Sequence, residues 1–491
     1  MPDAIAEPPS KNTASFRSDV LRLATGTGIG QIIGIAAAPI VTRLFAPEAY
    51  GIAAIFASLA AILGILACSR YELAIVPPEK DHEAANLFWL SLLSAVIFAS
   101  LVSVAVWFGG PQIALWTNAP ELAQYLWLLP VVVFIHGVFI ALNYWNTRTR
   151  HFTRLSIAEI TSRVTGTSAT LGAGFAGFAT GGAMILASAV GQTMATLVLG
   201  GQILRDNGRF LVRSFSWAEI LAGMKRHRKF PLYSSWAGLL NIASWQLPIV
   251  LFGIFFSPAV VGLYALGFRI LQMPMRMIGS AIGRVFHQRA AQAHLSGELE
   301  PLVRNLLKTL TMVGLAPIVA LSVIGEDLFS LAFGSAWAEA GVYTQILSAW
   351  AFIWFVSSPL STLFGVLGKQ AQGLRLQMRI FASRLVSIGV GVYFDSVILA
   401  LALFSATGVL VYGGLIYQIM RFSGVSAKRL FDRSMMKAIA LALIVFLVLL
   451  AIETVFVSGL LLVGIAVALI ACNFLLLRKE LASMQIEGQA A

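Results

Sequence analysis

Charged residues and cysteines are scarce in this chain of 491 residues. Only 11% of the residues are charged and only two are cysteines, whereas 58% are hydrophobic. A soluble domain carries about 25% charged residues, so the composition excludes an ordinary soluble domain. Cys68 and Cys472 lie in apolar runs without a C-x-x-C spacing, which excludes a disulfide framework and a thiolate metal site. We therefore predict an integral membrane protein without redox chemistry.

Catalytic and nucleotide-binding signals are also scarce. The outer loops are short, and their acids Glu326, Asp327 and Glu339 are expected to be solvated, which disfavours a membrane-embedded glycosyltransferase or polymerase. The run 365–369 is too short for a P-loop and is followed by Gln370 instead of Ser or Thr, which disfavours an ATP-driven pump. We expect no enzyme, no cofactor and no metal. A secondary carrier or a flippase remains.

The apolar runs predict about fourteen transmembrane helices. A spanning helix needs about 20 residues, and the runs lie at 21–44, 50–69, 85–108, 121–145, 156–178, 181–204, 232–256, 258–283, 305–325, 341–367, 376–395, 397–420, 436–457 and 459–477. The polar segment 1–20 lacks a signal-peptide core and is predicted to be a disordered cytoplasmic tail. The segment 478–491 is predicted to be a second cytoplasmic tail.

The basic residues are segregated to one side of this arrangement. Of 34 Lys and Arg residues, 33 fall in the tails, in the connections on the side of the tails, or on the helix segments leading to them, and only Arg43 falls at the opposite face. The positive-inside rule then places both termini in the cytoplasm with an even number of spans. Topology explains most of the net charge of +12, so we expect no nucleic-acid partner.

The longest connection, 205–230, is predicted to be a basic cytoplasmic linker that contains a short helix. Ser216 and Glu219 have the spacing of a capping box at the start of this helix. Four apolar residues share one helix face: Trp217, Ile220, Leu221 and Met224. Two interpretations stay open: an interfacial helix in the anionic inner leaflet, or a solvated basic linker.

An internal repeat indicates two related halves. The segment 45–47 with Gly51 recurs as 256–258 with Gly262, at a constant offset of 211 residues. An even number of spans per half makes the copies parallel, related by an axis along the membrane normal. We predict six-helix lobes at 21–204 and 231–421, followed by added helices 13–14 at 436–477.

Polar residues inside spans are the candidate site residues. Arg269 lies eleven residues after Pro258, or about 16 Å at 1.5 Å per residue, which is near the midplane. A charge there must face a cavity or a partner. Arg276 and Gln272 follow Arg269 on the same span. The alternatives are a buried ion pair for Arg269 and snorkelling to the inner interface for Arg276.

Other candidates are less specific. Gln31 and Asn241 occupy matched positions of the first and seventh spans and are expected either to line one cavity or to form interhelical hydrogen bonds. Arg43 is either a gate or an interfacial anchor.

Three further titratable residues are candidates for a coupling or gating role. They are His136, Asp395 and Glu453. For His136 the alternative is a histidine that only packs between helices. For Asp395 and Glu453 the alternative is an ordinary position near an outer helix end. Arg70 and Glu72 are expected to pair at the inner end of the second span.

Several motifs resemble those of bacterial polysaccharide flippases of the Wzx type, which export O-antigen-like oligosaccharides. The matching segments are 39–51, 70–74, 261–264 with Arg269 and Pro274, and 282–286. The superfamily also contains multidrug extruders (MATE) and the lipid II flippase.

The resemblance implies an all-α, V-shaped, MATE-like bundle of two six-helix lobes. It also implies a function: an undecaprenyl-pyrophosphate-linked oligosaccharide is moved from the inner to the outer leaflet of the bacterial cytoplasmic membrane by alternating access. Arg269 is the first candidate for the diphosphate contact, followed by Arg276 and Arg43. Membrane lipids and polysaccharide assembly proteins are the expected partners. A cation-coupled multidrug antiporter and a non-transporting partner in a polysaccharide export complex remain alternatives.

Overall fold

The chain is built from α-helices joined by short turns. The computed structural model describes residues 28, 30–275, 280–455 and 459–490, and no strand occurs in this part of the chain. The helices are α1 (Gly30–Leu44), α2 (Pro47–Gly64), α3 (Asp81–Trp116), α4 (Leu128–Arg148), α5 (Phe152–Phe175), α6 (Gly181–Arg213), α7 (Trp217–Arg226), α8 (Ser235–Phe255), α9 (Pro258–Pro274), α10 (Ser280–Ser296), α11 (Leu299–Phe333), α12 (Ala338–Ser357), α13 (Leu363–Val366), α14 (Gln370–Tyr393), α15 (Val397–Ser423), α16 (Ala427–Leu430), α17 (Arg433–Val455) and α18 (Gly459–Ala490).

The predicted all-α membrane fold is confirmed. Each of the fourteen predicted spans overlaps one of these helices, and within the described ranges ten helices are long and apolar enough to cross a membrane. Two further apolar helices, α1 and α9, are shorter. The other two predicted spans lie on α5 and α14, which are on average more polar than the ten helices that can cross a membrane. The protein is therefore a multi-pass membrane protein.

One predicted span differs from the helices that the structure shows, and another is described only in part. The run 258–283 includes α9 and the beginning of α10, and its residues 276–279 lie outside the described residues. The run 341–367 contains α12 only up to Ser357, because Pro359 lacks an N–H group and begins a short 3₁₀ segment instead. The predicted tail 1–20 lies outside the described residues, and α18 continues through most of the predicted tail 478–491.

The chain forms two compact units. Unit 1 contains the described parts of Met1–Leu44, Phe56–Leu115 and Pro120–Ala243, and unit 2 contains those of Phe45–Ile55, Trp116–Ala119 and Ser244–Ala491. Unit 1 has an apolar core in which the rings of Phe88 and Trp145 lie 5.8 Å apart. Unit 2 has an aromatic core in which Trp350 stacks on Trp354 at 5.4 Å. The division into lobes at 21–204 and 231–421 stays a prediction.

Within the predicted linker 205–230, α6 continues to Arg213 and the residues after Ser216 form α7. The Ser216 hydroxyl accepts the Glu219 N–H, as the capping-box spacing predicts. Asn86 on α3 accepts the Ser216 N–H at 2.8 Å, which ties the helix to unit 1. Ile220 is buried against the unit, but Trp217, Leu221 and Met224 of the predicted apolar face are exposed. Insertion of this exposed face into the inner leaflet stays a prediction.

The two copies of the repeated motif contact each other in unit 2. A Cβ atom on Gly51 would lie 1.7 Å from the Pro258 carbonyl oxygen, and a Cβ atom on Gly262 would lie 2.0 Å from the Pro47 carbonyl oxygen. Both distances are far below van der Waals contact, so the first turns of α2 and α9 approach this closely only because both positions are glycine. The contact is reciprocal, as expected when two equivalent motifs meet.

Replacing Gly262 by Ala should destabilise the protein, because the added methyl group must push the backbone of Pro47 away. Overpacking of this kind costs about 1–3 kcal/mol. We expect Gly262→Ala to lower the melting temperature of the detergent-solubilised protein. Gly413→Ala in α15 is the control, since a Cβ atom there meets nothing within 4 Å. Equal melting temperatures for the two variants would contradict the close contact.

The added helices α17 and α18 pack on α11. Val445 and Leu449 of α17 and Leu462 of α18 join Ala320 and Ile324 of α11 in one apolar cluster.

An ion pair stabilises the beginning of α17. The buried Lys308 ammonium on α11 donates to the Asp432 carboxylate directly before the helix. Burial alone would raise the pKa of Asp432, but Lys308, the Met435 N–H and the Ser434 hydroxyl donate to its carboxylate and lower its pKa to about 2.

Asp432→Asn should loosen the connection between α17 and α11. The substitution removes the charge that compensates buried Lys308, and an unsatisfied buried group costs about 1–3 kcal/mol, or more when it is charged. Thermal unfolding in detergent should show a lower melting temperature, and protease should cleave the segment near residue 424 faster. Glu298→Gln, at an exposed position before α11, serves as the control. Unchanged proteolysis of Asp432→Asn would contradict this role.

Candidate substrate-binding site

The close approach of α2 and α9 places Tyr50 beside Arg269. The helix α9 begins at Pro258, and the Ser257 hydroxyl caps it by accepting the Val260 N–H. Arg269 is exposed, and its Nη1 donates to the Tyr50 hydroxyl at 2.9 Å. A phenol carries no charge at neutral pH, so this contact orients the guanidinium while leaving its positive charge in place.

Tyr50 lies beside a buried aromatic ring and near a hydrogen-bonded turn. Its ring packs edge-on against Trp337 with the ring centroids 5.4 Å apart, and Trp337 is fully buried. The Asn118 amide donates to the Ile254 carbonyl at 2.9 Å and to the Phe256 carbonyl at 3.3 Å. These bonds satisfy carbonyl groups at the end of α8, which have no partner in the helix, and so position the turn that leads into α9.

The predicted partners of Arg269 on α9 are only partly described. Gln272 lies three residues further along α9, on the same face as Arg269, and is half-buried. Arg276 lies outside the described residues. A guanidinium and an amide on one helix face can donate several hydrogen bonds to phosphate oxygens. The diphosphate-binding role of these residues stays a prediction.

The remaining predicted binding residues belong to unit 1. Arg43 is exposed in the last turn of α1, Gln31 is half-buried in the first turn of α1, and Asn241 is exposed on α8. In the described part of the chain, no hydrogen bond joins Gln31 to Asn241. Arg269 and Gln272, in contrast, belong to unit 2.

The three coupling candidates occupy different places. The His136 ring packs against Gly64, where a Cβ atom would lie 2.6 Å from the ring carbon Cδ2. Asp395 is exposed in the turn between α14 and α15 and has a positive φ of 49°. Glu453 is exposed on α17 and interacts electrostatically with Asp327 and Glu326. A coupling role for these residues stays a prediction.

The predicted pairing of Arg70 with Glu72 is confirmed. Their charged groups lie 3.5 Å apart, and the Glu72 side chain is 3% exposed. Arg70 has a positive φ of 64°, and this turn directs the chain into the short 3₁₀ helix Tyr71–Ala74. Burial raises the pKa of Glu72, and the opposing effects of a backbone hydrogen bond and of Arg70 are smaller.

The raised pKa of Glu72 predicts a pH-dependent stability. Its contribution to folding is fully present below its ordinary pKa of 4.5 and is lost as the pH rises through the raised pKa in the folded protein. The melting temperature of the wild type relative to Glu72→Gln should therefore fall between acidic and neutral pH. Glu79→Gln, at an exposed position, should show no such trend. A pH-independent difference between the wild type and Glu72→Gln would contradict this cause.

Sequence reasoning missed Arg384. Its position in the predicted span 376–395 assigned it to the cytoplasmic basic residues, but the structure buries it within α14 at 3% exposure. Its Nη1 donates to the Ser244 carbonyl, which lies four residues before Pro248, a residue with no N–H to donate. Two signals were present in the sequence: an arginine well inside a span, and a proline inside α8.

Comparisons with known proteins agree with this fold. A family model described as polysaccharide biosynthesis protein matches residues 40–342, which is more than half of the 491 residues. The structure of the lipid II flippase MurJ in an inward closed conformation has a TM-score of 0.70 and 11% identity, and the match covers 94% of this chain and 99% of that chain. No curated protein sequence matches this chain.

Transporters of the MOP superfamily share the fold as well. A multidrug resistance MATE family transporter in an inward-facing conformation has a TM-score of 0.66 and 16% identity, with 83% of this chain and 98% of that chain covered. A MOP superfamily transporter from Pyrococcus furiosus has a TM-score of 0.55 and 17% identity. The match covers 85% of this chain and 99% of that chain. The extent of the family match decides the assignment: this chain belongs to the polysaccharide biosynthesis protein family.

Proposed function

We propose that this protein is a flippase for an undecaprenyl-pyrophosphate-linked oligosaccharide. It moves the lipid from the cytoplasmic to the periplasmic leaflet of the bacterial inner membrane by alternating access, with both termini in the cytoplasm. The family and the fold of the lipid II flippase support a flippase-like transporter. The observation that carries the choice of substrate is Arg269, an exposed cation about 16 Å into α9 that is oriented by a neutral phenol.

A diphosphate matches the chemistry of Arg269. Its oxygens accept charge-assisted hydrogen bonds, and a planar guanidinium donates two such bonds side by side. We assign the diphosphate contact to Arg269 and a positioning role to Tyr50, whose hydroxyl accepts from Nη1 of Arg269. Gln272, Arg276 and Arg43 are proposed as further donors to the headgroup.

The rest of the substrate places fewer demands on the protein. The polyprenyl tail is as apolar as the lipid chains and remains in the bilayer during transport. The sugars need neutral hydrogen-bonding groups, and Gln31 and Asn241 are proposed for this role. Membrane lipids and polysaccharide assembly proteins are the proposed partners.

Substitution of Arg269 tests the proposed headgroup contact. Loss of a charged hydrogen bond costs about 1.5–3 kcal/mol, so export should fall about ten-fold or more in Arg269→Ala. Arg269→Lys should retain part of the activity, because the charge remains while the paired geometry is lost. Tyr50→Phe should reduce export less than Arg269→Ala does.

The measurement is complementation of a deletion strain. Surface polysaccharide is quantified together with the lipid-linked oligosaccharide that accumulates in the cytoplasmic leaflet, at matched protein levels in the membrane. Arg375→Ala is the matched control, since Arg375 is an exposed arginine of unit 2 on α14. Full export by Arg269→Ala would show that the headgroup role is wrong.

A cation-coupled multidrug antiporter is the second candidate, because MATE transporters share the fold. The same deletion strain separates the two functions. An antiporter predicts increased drug sensitivity with normal surface polysaccharide, whereas the flippase predicts loss of polysaccharide and accumulation of its lipid-linked precursor. Reconstitution of the purified protein distinguishes a third function. If the protein moves no lipid although the deletion strain loses polysaccharide, a non-transporting partner in an export complex is favoured.

A further inference from the structure

Arg384 is a buried cation in the interior of unit 2. It lies nine residues before the end of α14 at Tyr393, which places it about 14 Å from that end, and its side chain belongs to the aromatic core. The guanidinium carbon lies 4.4 Å from the centre of the Trp245 ring and 5.3 Å from that of Phe404. Arg384 is therefore held between two aromatic faces rather than against acidic groups.

A proline explains one of the hydrogen bonds of Arg384. In α8, the Ser244 carbonyl would normally accept the N–H of residue 248, but Pro248 has none. Arg384 donates its Nη1 to this carbonyl. One N–H of the guanidinium is thereby satisfied, and the kink-prone part of α8 gains a side-chain donor.

The remaining charge of Arg384 is not compensated. No ion pair joins Arg384 to an acid among the residues that the structure describes, and its Nη2 is buried without a hydrogen-bond partner. Cation–π contacts return less free energy than the burial of an unpaired charge costs, so these surroundings favour an anion beside Arg384.

Tyr264 supplies a second unpartnered polar group. Its side chain is 1% exposed, and its hydroxyl is buried without a hydrogen-bond partner. The Tyr264 ring stacks on the Phe268 ring, with the ring centroids 5.3 Å apart. The Phe268 ring centroid lies 6.2 Å from that of Trp245, and Arg384 stacks on Trp245. The two unsatisfied groups thus belong to the same aromatic cluster.

We propose that Arg384 and Tyr264 form a binding site for a small monovalent inorganic anion, such as chloride. Nη2 of Arg384 and the hydroxyl of Tyr264 both act as donors, and an anion accepts from both while neutralising the guanidinium. A water molecule satisfies donors but leaves the charge uncompensated. The burial of both side chains among large aromatic rings excludes a sugar diphosphate, so this site is separate from the headgroup contact proposed for Arg269.

Thermal unfolding of the purified full-length protein tests the proposal. The melting temperature is measured in detergent while sodium gluconate is replaced by sodium chloride or sodium bromide at constant ionic strength. A ligand that binds only the folded state raises the melting temperature with a saturating dependence on its concentration. We expect such a rise for chloride and bromide in the wild type.

Variants locate the anion. Tyr264→Phe removes one donor without changing the ring packing and should weaken the apparent chloride affinity at least ten-fold. Arg384→Gln should abolish the chloride response, and if this variant fails to fold, Tyr264→Phe still tests the site. Tyr417→Phe, at an exposed position on α15, is the matched control and should respond like the wild type. Arg269→Ala should also keep the chloride response, so the outcome is independent of the proposed flippase function.

Anomalous diffraction from crystals grown in bromide identifies the occupant. A bromide peak beside Nη2 of Arg384 supports the proposal. Three results would overturn it: equal melting temperatures in chloride and gluconate, an unchanged chloride response in Tyr264→Phe, or a water molecule only at this position. Stabilisation by inorganic pyrophosphate without stabilisation by chloride would likewise reject a small-anion site.

Discussion

The candidate site depends on the close approach of α2 and α9 at Gly51 and Gly262. Each glycine faces a backbone carbonyl at a distance where no side chain fits, and this contact brings the Tyr50 hydroxyl within 2.9 Å of Arg269. A larger residue at either position would separate the helices and withdraw the phenol from the guanidinium. Both copies of the repeated motif therefore need glycine at the matched position, because the same contact depends on Gly51 and on Gly262.

The low dielectric of the interior explains why the burial of each basic side chain is linked to the kind of partner it has. Lys308 is buried and paired with Asp432, as expected for a charge that has no functional role in the site. Arg269 is exposed, and its Nη1 donates to the Tyr50 hydroxyl; an anionic headgroup is proposed as its ligand. Arg384 is buried between aromatic rings and forms no ion pair with an acid among the described residues, which is why a bound anion is proposed there.

Proline and polar capping groups position these side chains. Pro248 has no N–H to donate to the Ser244 carbonyl, which accepts from Arg384, while Asn118 donates to the carbonyl groups at the end of α8. Backbone polar groups in an apolar interior must be satisfied inside the protein. Breaks in the helical hydrogen-bond pattern are therefore the places where side chains from other helices are bound.

The sequence by itself determined the class of protein, the apolar helices, the Ser216 cap of α7, the Arg70–Glu72 pair and the position of Arg269 along α9. All of these depend on composition or on residues close together in the chain, where hydropathy and helix periodicity are informative. The bonds from Arg269 to Tyr50 and from Arg384 to Ser244 join residues 219 and 140 positions apart. Only the tertiary structure decided these contacts, because hydropathy reports how deep a residue lies in a helix but not which helix packs against it.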